Sequence, residues 1–154
     1  MSRTSKISSS ASGFASVEFV IVTPVLLMLI FAIAEVGRAL VQYATLSNAV
    51  RNSLRFVAGE ALQGSTGVIA VNAALRTQGQ NLVAYGRTAA GTPVLPGLNP
   101  AQVTVTSPGN GNITVSAVYP YTPIIGPTLP TFGIAQPISL IFNLTVTSTM
   151  QAIP

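Results

Sequence analysis

Between Phe19 and Ala34 the chain reads FVIVTPVLLMLIFAIA, an uncharged run that constrains the fold more than any other stretch. Counted from Phe14 and passing over Glu18, the apolar segment is about 21 residues, enough to span a ~30 Å hydrocarbon core as a helix. Upstream, Met1–Gly13 is small and polar, with Arg3 and Lys6 as its charged side chains. Downstream the next charges are Glu35 and Arg38, three residues apart, where a helix leaving a bilayer could pair them or let Arg38 snorkel. Pro24 lies inside the run. It would cost a helix in water about 3 kcal/mol, but membrane helices tolerate it, so a kink is expected there.

Three readings of this segment stand open on spacing alone. In the first, it is a secretory signal peptide with Arg3 and Lys6 as basic flank, cut after Ala32-Ile33-Ala34. In the second, it is a plain single membrane anchor. In the third, it is a prepilin-type segment, cut after Gly13 with the apolar helix retained. The helical pattern does not stop at Ala34: Val36, Leu40, Tyr43, Val50, Leu54, Val57 and Ala61 recur at three- or four-residue steps, with Ser47 filling the gap. One long helix from Phe14 to about Leu62 is therefore expected, and a cut at Ala34 would sever it. Glu18 is the fifth residue counted from Phe14. A carboxylate near the bilayer centre costs on the order of 3 kcal/mol and calls for a partner, such as the α-amine of a neighbouring subunit. Alternatively, Glu18 marks the interface where the span begins. Basic residues flank the run on both sides, so charge does not set its orientation.

Gly13-Phe14-Ala15-Ser16-Val17-Glu18-Phe19, the Pro-containing apolar run, Glu35-Val36-Gly37-Arg38 and Leu46-Ser47-Asn48-Ala49-Val50-Arg51 together resemble the TadE-like pseudopilins of the tight-adherence (Tad/Flp) pilus machinery. The resemblance is strongest over residues 13 to 58 and continues more weakly through Tyr119-Pro120-Tyr121 and Pro123 to the last strand signal. It implies cleavage between Gly13 and Phe14 by a prepilin peptidase, with Glu18 used in processing or subunit docking. It further implies a single-pass protein of the bacterial inner membrane with its C-terminal domain in the periplasm or outside. The partners implied are the peptidase, other pilins and pseudopilins of the apparatus, and inner-membrane lipid. Phe19, Pro24, Glu35 and Arg38 join Glu18 as candidate assembly residues. One departure stands out: the family's basic residues often lie closer to the cleavage glycine, whereas here residues 8–12 intervene.

Composition removes several other classes. The sequence has no His and no Cys, and its acids are Glu18, Glu35 and Glu60, so a catalytic His, a thiol nucleophile, a disulfide or a Cys/His zinc site is excluded. Glu18 and Glu35 sit ~25 Å apart along a helix, too far for paired acid–base work. The one lysine, Lys6, lies in the expected leader. No enzyme activity, cofactor or metal is expected. The net charge of +4 reflects scarce acids rather than a basic block, and nucleic acid is not an expected partner. With 49% hydrophobic residues, the chain is too apolar for intrinsic disorder.

Beyond Leu62 the pattern shortens. Gln63–Gly67 is a break in which Ser65 or Thr66 could cap a second helix, whose stripe Val68, Val71, Leu75, Leu82 and Tyr85 would pack on the first. Gly79 suggests a bend or split in it. Residues 88–100, with Gly91, Pro93, Pro96, Gly97 and Pro100, form a loop. Gln102–Thr106 and Asn112–Tyr119 alternate as strands, the second with Ile113, Val115, Ala117 and Tyr119 on one face. Ser107–Gly111 reads as a five-residue hairpin connection. Its Asn110-Gly111 lacks the helix and lysine of a phosphate loop. Tyr119–Gln136, rich in Pro and Gly, is expected to be a long connection, either a contact loop or a stiff linker covering a sheet edge. Last, Ile138, Leu140, Phe142, Leu144 and Val146 alternate with polar residues as the clearest strand, over a Thr-rich opposite face.

The expected fold class is α+β: a long N-terminal transmembrane or assembly helix, a second shorter helix and a small antiparallel sheet of about three strands, which is the pilin-like arrangement the resemblance implies. In segments, this means a leader over 1–13, the long helix over 14–62 with its span at 14–34, and an α+β domain over 63–154. The expected function is a structural pseudopilin or minor pilin. The alternative is an anchored or secreted binding domain presenting the Tyr119–Phe132 loop. The mature N-terminus separates them: Phe14 marks assembly, Glu35 release, Met1 a plain anchor.

Overall fold

The computed structural model describes residues 11–61, 71–109, 111–129, 131, 133 and 135–152. The long helix, α1, runs Ala11–Ala61 and continues through Pro24. The expected leader charges Arg3 and Lys6, and the suggested caps Ser65 and Thr66, lie outside the described residues. The chain divides into two compact units. One holds the described residues of Met1–Val36 with Pro123–Leu140, the other those of Gly37–Thr122 with Ile141–Pro154.

The second unit contains the core. There α1 contributes Leu46, Val50, Leu54, Val57, Ala58 and Ala61, all buried. Helix α2 spans Ala73–Tyr85, with Asn72 as its N-cap, accepting from the Leu75 N–H, and Gly86 in the left-handed conformation as its C-cap. A three-stranded antiparallel sheet, in the order β1-β2-β5, comprises β1 (Val103–Gly109), β2 (Asn112–Pro120) and β5 (Asn143–Gln151). Its inner face brings Val103, Val105, Ile113, Val115, Ala117, Tyr119, Leu144 and Val146 into the same core. Alternation at period two puts one set of side chains inward and the other outward. The outward set is a hydroxyl lattice: Thr114 pairs with Thr149 and Ser116 with Thr147, each at 2.9 Å.

In the first unit, β3 (Thr128–Leu129) pairs antiparallel with β4 (Ile138–Ser139). The Leu140 N–H donates to the Pro127 carbonyl, and Thr131 Oγ1 donates to the Ala135 carbonyl. The Pro/Gly-rich connection, expected as a contact loop or a stiff linker, thus contains a small paired lobe.

The apolar stripe of α1 is exposed in its first part, at Val36, Leu40 and Tyr43, and burial at every turn begins near Gln42 and Leu46. Three expectations need correction. Gly79 neither bends nor splits α2, but lies on its buried face against Val57 and Ser53, and Ser53 Oγ donates to the Gly79 carbonyl at 2.7 Å. The β1–β2 connection is shorter than five residues, because Gly109 pairs with Asn112 after an irregularity beyond Thr106, with Gly111 at a φ of 77° closing the turn. The last strand signal is two strands: residues 138–139 pair with β3, while 143–151 pair with β2. Its alternation is real at Leu144 and Val146, but Ile138 and Phe142 are exposed.

Candidate assembly helix and processing site

The Gly13–Phe14 bond lies near the start of α1. From Phe14 onward the helix is apolar on every side and nearly every large side chain is exposed, including Phe14, Phe19, Ile21, Leu29, Ile30 and Ile33. A helix apolar all round is stable only when something apolar surrounds it. By length and composition α1 is able to cross a membrane, its most apolar window having a mean hydropathy of 2.6 and none of that window buried within the chain.

Glu18 is exposed on this surface, and Ala15, Glu18, Phe19 and Val22 line a shallow hollow on one helix face. That spacing, i, i+3, i+4 and i+7, is the one that places residues in a single stripe. One turn on, Phe19, Val20, Thr23, Pro24 and Leu27 line a second, almost wholly apolar hollow. Pro24 has no N–H to donate to the preceding turn. In that same turn Thr23 Oγ1 donates to the Phe19 carbonyl at 2.6 Å. Phe19 and Pro24 therefore share a notch next to the Glu18 stripe.

Glu35 behaves differently from Glu18. It is 4% exposed, and its Oε1 accepts from two consecutive backbone N–H groups, Ile124 at 2.7 Å and Ile125 at 3.0 Å. Hydrogen bonds from neutral donors to an ionised acceptor are among the stronger ones, roughly 1.5–3 kcal/mol net. The carboxylate directly after the apolar run thus holds the 123–140 lobe. Sequence reasoning identified Glu35 but not this role, since nothing in local spacing links positions 35 and 124.

In the other unit, Arg38 donates from Nη1 to the Thr122 carbonyl at 2.9 Å, and its guanidinium lies 5.6 Å from the centre of the Tyr121 ring. Tyr121 stacks on Phe142 at 5.0 Å between centroids, and its N–H donates to the Phe142 carbonyl. The Tyr119 hydroxyl donates to the Pro96 carbonyl. Burial raises the Tyr119 phenol above its ordinary value, with the positive charge of Arg38 pulling in the opposite direction. Another residue the sequence did not single out is Gln42, 7% exposed, whose Oε1 has no hydrogen-bond partner among the described residues. Its signal was present in the sequence: a carboxamide one turn before Leu46 on the face that becomes buried.

No group of three or more metal-ligating carboxylates occurs among the described residues. No curated protein and no solved structure matches the chain. A family model does match, that of TadE-like proteins, over residues 13–55. The matched stretch opens on the Gly13–Phe14 bond, takes in the exposed apolar helix, Glu18, Glu35 and Arg38, and ends inside the packed half of α1. Over residues 13–55 the long helix is similar to that of TadE-like proteins, in the same stretch that carries the sequence resemblance.

Proposed function

We propose that the protein is a structural pseudopilin or minor pilin of a Tad-type pilus, assembled through the exposed N-terminal part of α1. The TadE-like match supports involvement in the Tad pilus system. The observation that carries the reading further is the pairing of that match with a helix surface that is apolar all round and exposed from Phe14 to Ile33. Such a surface suits lipid first and the apolar helices of other subunits afterwards, where close packing supplies dispersion contacts.

In this reading a prepilin peptidase cuts after Gly13, and the new α-amine of Phe14 in one subunit pairs with Glu18 of a neighbour. The pair would fix axial register, because a carboxylate in an apolar bundle is tolerated only where a partner meets it. Phe19 and Pro24, in the notch beside Glu18, would seat a neighbouring helix. The chain would be retained in the inner membrane by residues 14–34, with its α+β part on the periplasmic or outer side. Catalysis has no part in this function.

The intact mass of protein extracted from membranes tests the processing step. With an active prepilin peptidase the mass should equal that of a chain beginning at Phe14, and without it the uncut mass should persist. A chain beginning at Glu35 would overturn the proposal. Glu18→Ala tests the register step: insertion should be kept while recovery in pili, or with co-purifying subunits, falls. Unchanged recovery would remove Glu18 from the assembly mechanism.

A further inference from the structure

Glu35 does more than end the apolar run. Its two hydrogen bonds bring the backbone at Ile124 and Ile125 to the first polar position after the span. In a membrane-crossing helix whose apolar segment ends at Ala34, that level is the boundary between hydrocarbon and headgroups. The lobe held there is unusual. Ile124 is 75% exposed and Ile138 is 53% exposed. From residue 88 to residue 154 the sequence contains no Asp, Glu, Lys, Arg or His, so nothing charged in the lobe opposes contact with lipid. Several of its backbone groups are also paired, through the β3–β4 ladder, the Leu140 N–H to the Pro127 carbonyl, and the two N–H groups on Glu35. Paired backbone is the condition for placing a non-helical segment against an apolar medium.

We propose that the 123–140 lobe is a second, interfacial membrane contact, in which Ile124 and Ile138 enter the lipid surface where α1 leaves the bilayer and Glu35 sets their depth. The occupant of this apolar surface is lipid. The lobe would fix how far α1 is immersed, whichever way the helix is oriented. The inference rests on α1 being a membrane span, and its test separates the two.

The chain has no Trp, so single-Trp variants of the full-length protein report their own surroundings. Ile124→Trp, Ile138→Trp, Leu27→Trp and Thr104→Trp would be reconstituted in phosphatidylcholine vesicles brominated either near the headgroups or near the chain ends. Leu27→Trp should be quenched most by deep bromines. Ile124→Trp and Ile138→Trp should be quenched most by shallow ones, with blue-shifted emission, while Thr104→Trp on β1 should be quenched by neither. Adding Glu35→Ala to Ile124→Trp should abolish the shallow quenching.

If Leu27→Trp is quenched but the two lobe variants are not, the lobe inference fails and the anchor stands. If Leu27→Trp is not quenched, both fail. Blue-shifted lobe emission without lipid quenching would show protein, not lipid, on the lobe and overturn the proposal. Quenching unaffected by Glu35→Ala would overturn the role of Glu35.

Discussion

The same helix contains two stretches of unequal apolarity and opposite design. From Phe14 to Ile33 large side chains point in all directions and stay exposed. From Leu46 to Ala61 the apolar residues form a buried stripe, while Asn48, Arg51, Asn52 and Arg55 face outward. Hydrophobic content already separates them, and its angular distribution says what each stretch packs against. A stripe implies that the chain supplies its own apolar partner, here β1, β2, β5 and α2 in one core. Apolarity on every side implies a partner outside the chain, whether lipid or other helices. Folding free energy should therefore be concentrated in the second stretch, and insertion or assembly free energy in the first.

Paired truncations of a leucine in each stretch should give the largest difference. Leu54 is 2% exposed within the core, so Leu54→Ala should destabilise the α+β unit by about 2–5 kcal/mol, the sum of lost transfer energy and a residual cavity. Leu29 is 54% exposed, and Leu29→Ala should leave the same unfolding transition within about 0.5 kcal/mol of wild type. Urea unfolding in detergent, followed by circular dichroism, makes the comparison. A similar loss in both variants would mean that the N-terminal stretch has a packed partner within the chain.

These contrasts also show how much could be read from the sequence. The long helix, the β2 inner face at Ile113, Val115, Ala117 and Tyr119, and the Thr-rich outer face were all legible, because each follows from periodicity within one element. What periodicity misses is the partner of each element. Residues 138–146 alternate except at Ile141, yet 138–139 and 143–146 pair with different strands, a choice made by residues far away in sequence. The Glu35 contact with Ile124 and Ile125 was hidden for the same reason. The proposed processing residues Gly13, Phe14 and Glu18 stood out through their motif, and Phe14 and Glu18 are exposed on the helix surface.

Glycines refine the distinction between packed and open surfaces at smaller cost. In α2, a Cβ on Gly79 would come within 2.8 Å of Val57 Cγ2 and 3.3 Å of Ser53 Oγ, both buried side chains of α1. Gly79→Ala gains about 1 kcal/mol of helix propensity but forces the two helices apart, an overpacking cost of about 1–3 kcal/mol. A net loss of about 1 kcal/mol is the expected result. Gly59 sits on α1 with nothing within 4 Å of its added Cβ. There Gly59→Ala should stabilise by up to about 1 kcal/mol. Opposite signs in chemical denaturation would place the α1–α2 contact at Gly79; stabilisation in both variants would mean that the helices are looser there than the contact with Val57 requires.

The smallest effect concerns Tyr119, whose buried ring belongs to the core and whose hydroxyl donates to the Pro96 carbonyl. Tyr119→Phe keeps the ring and removes the donor, so it should cost about 1 kcal/mol at neutral pH. The pH dependence adds a second reading. Burial raises the phenol's pKa in the folded state, so above the ordinary phenol range the unfolded chain has released a proton that the folded chain still holds. Stability then falls as pH rises, because the folded state binds more protons. The Tyr119 contribution should be constant below that range and decline through it, and Tyr119→Phe should flatten that part of the decline. An unchanged alkaline slope in Tyr119→Phe would show that the ring is buried but its hydroxyl is open to water.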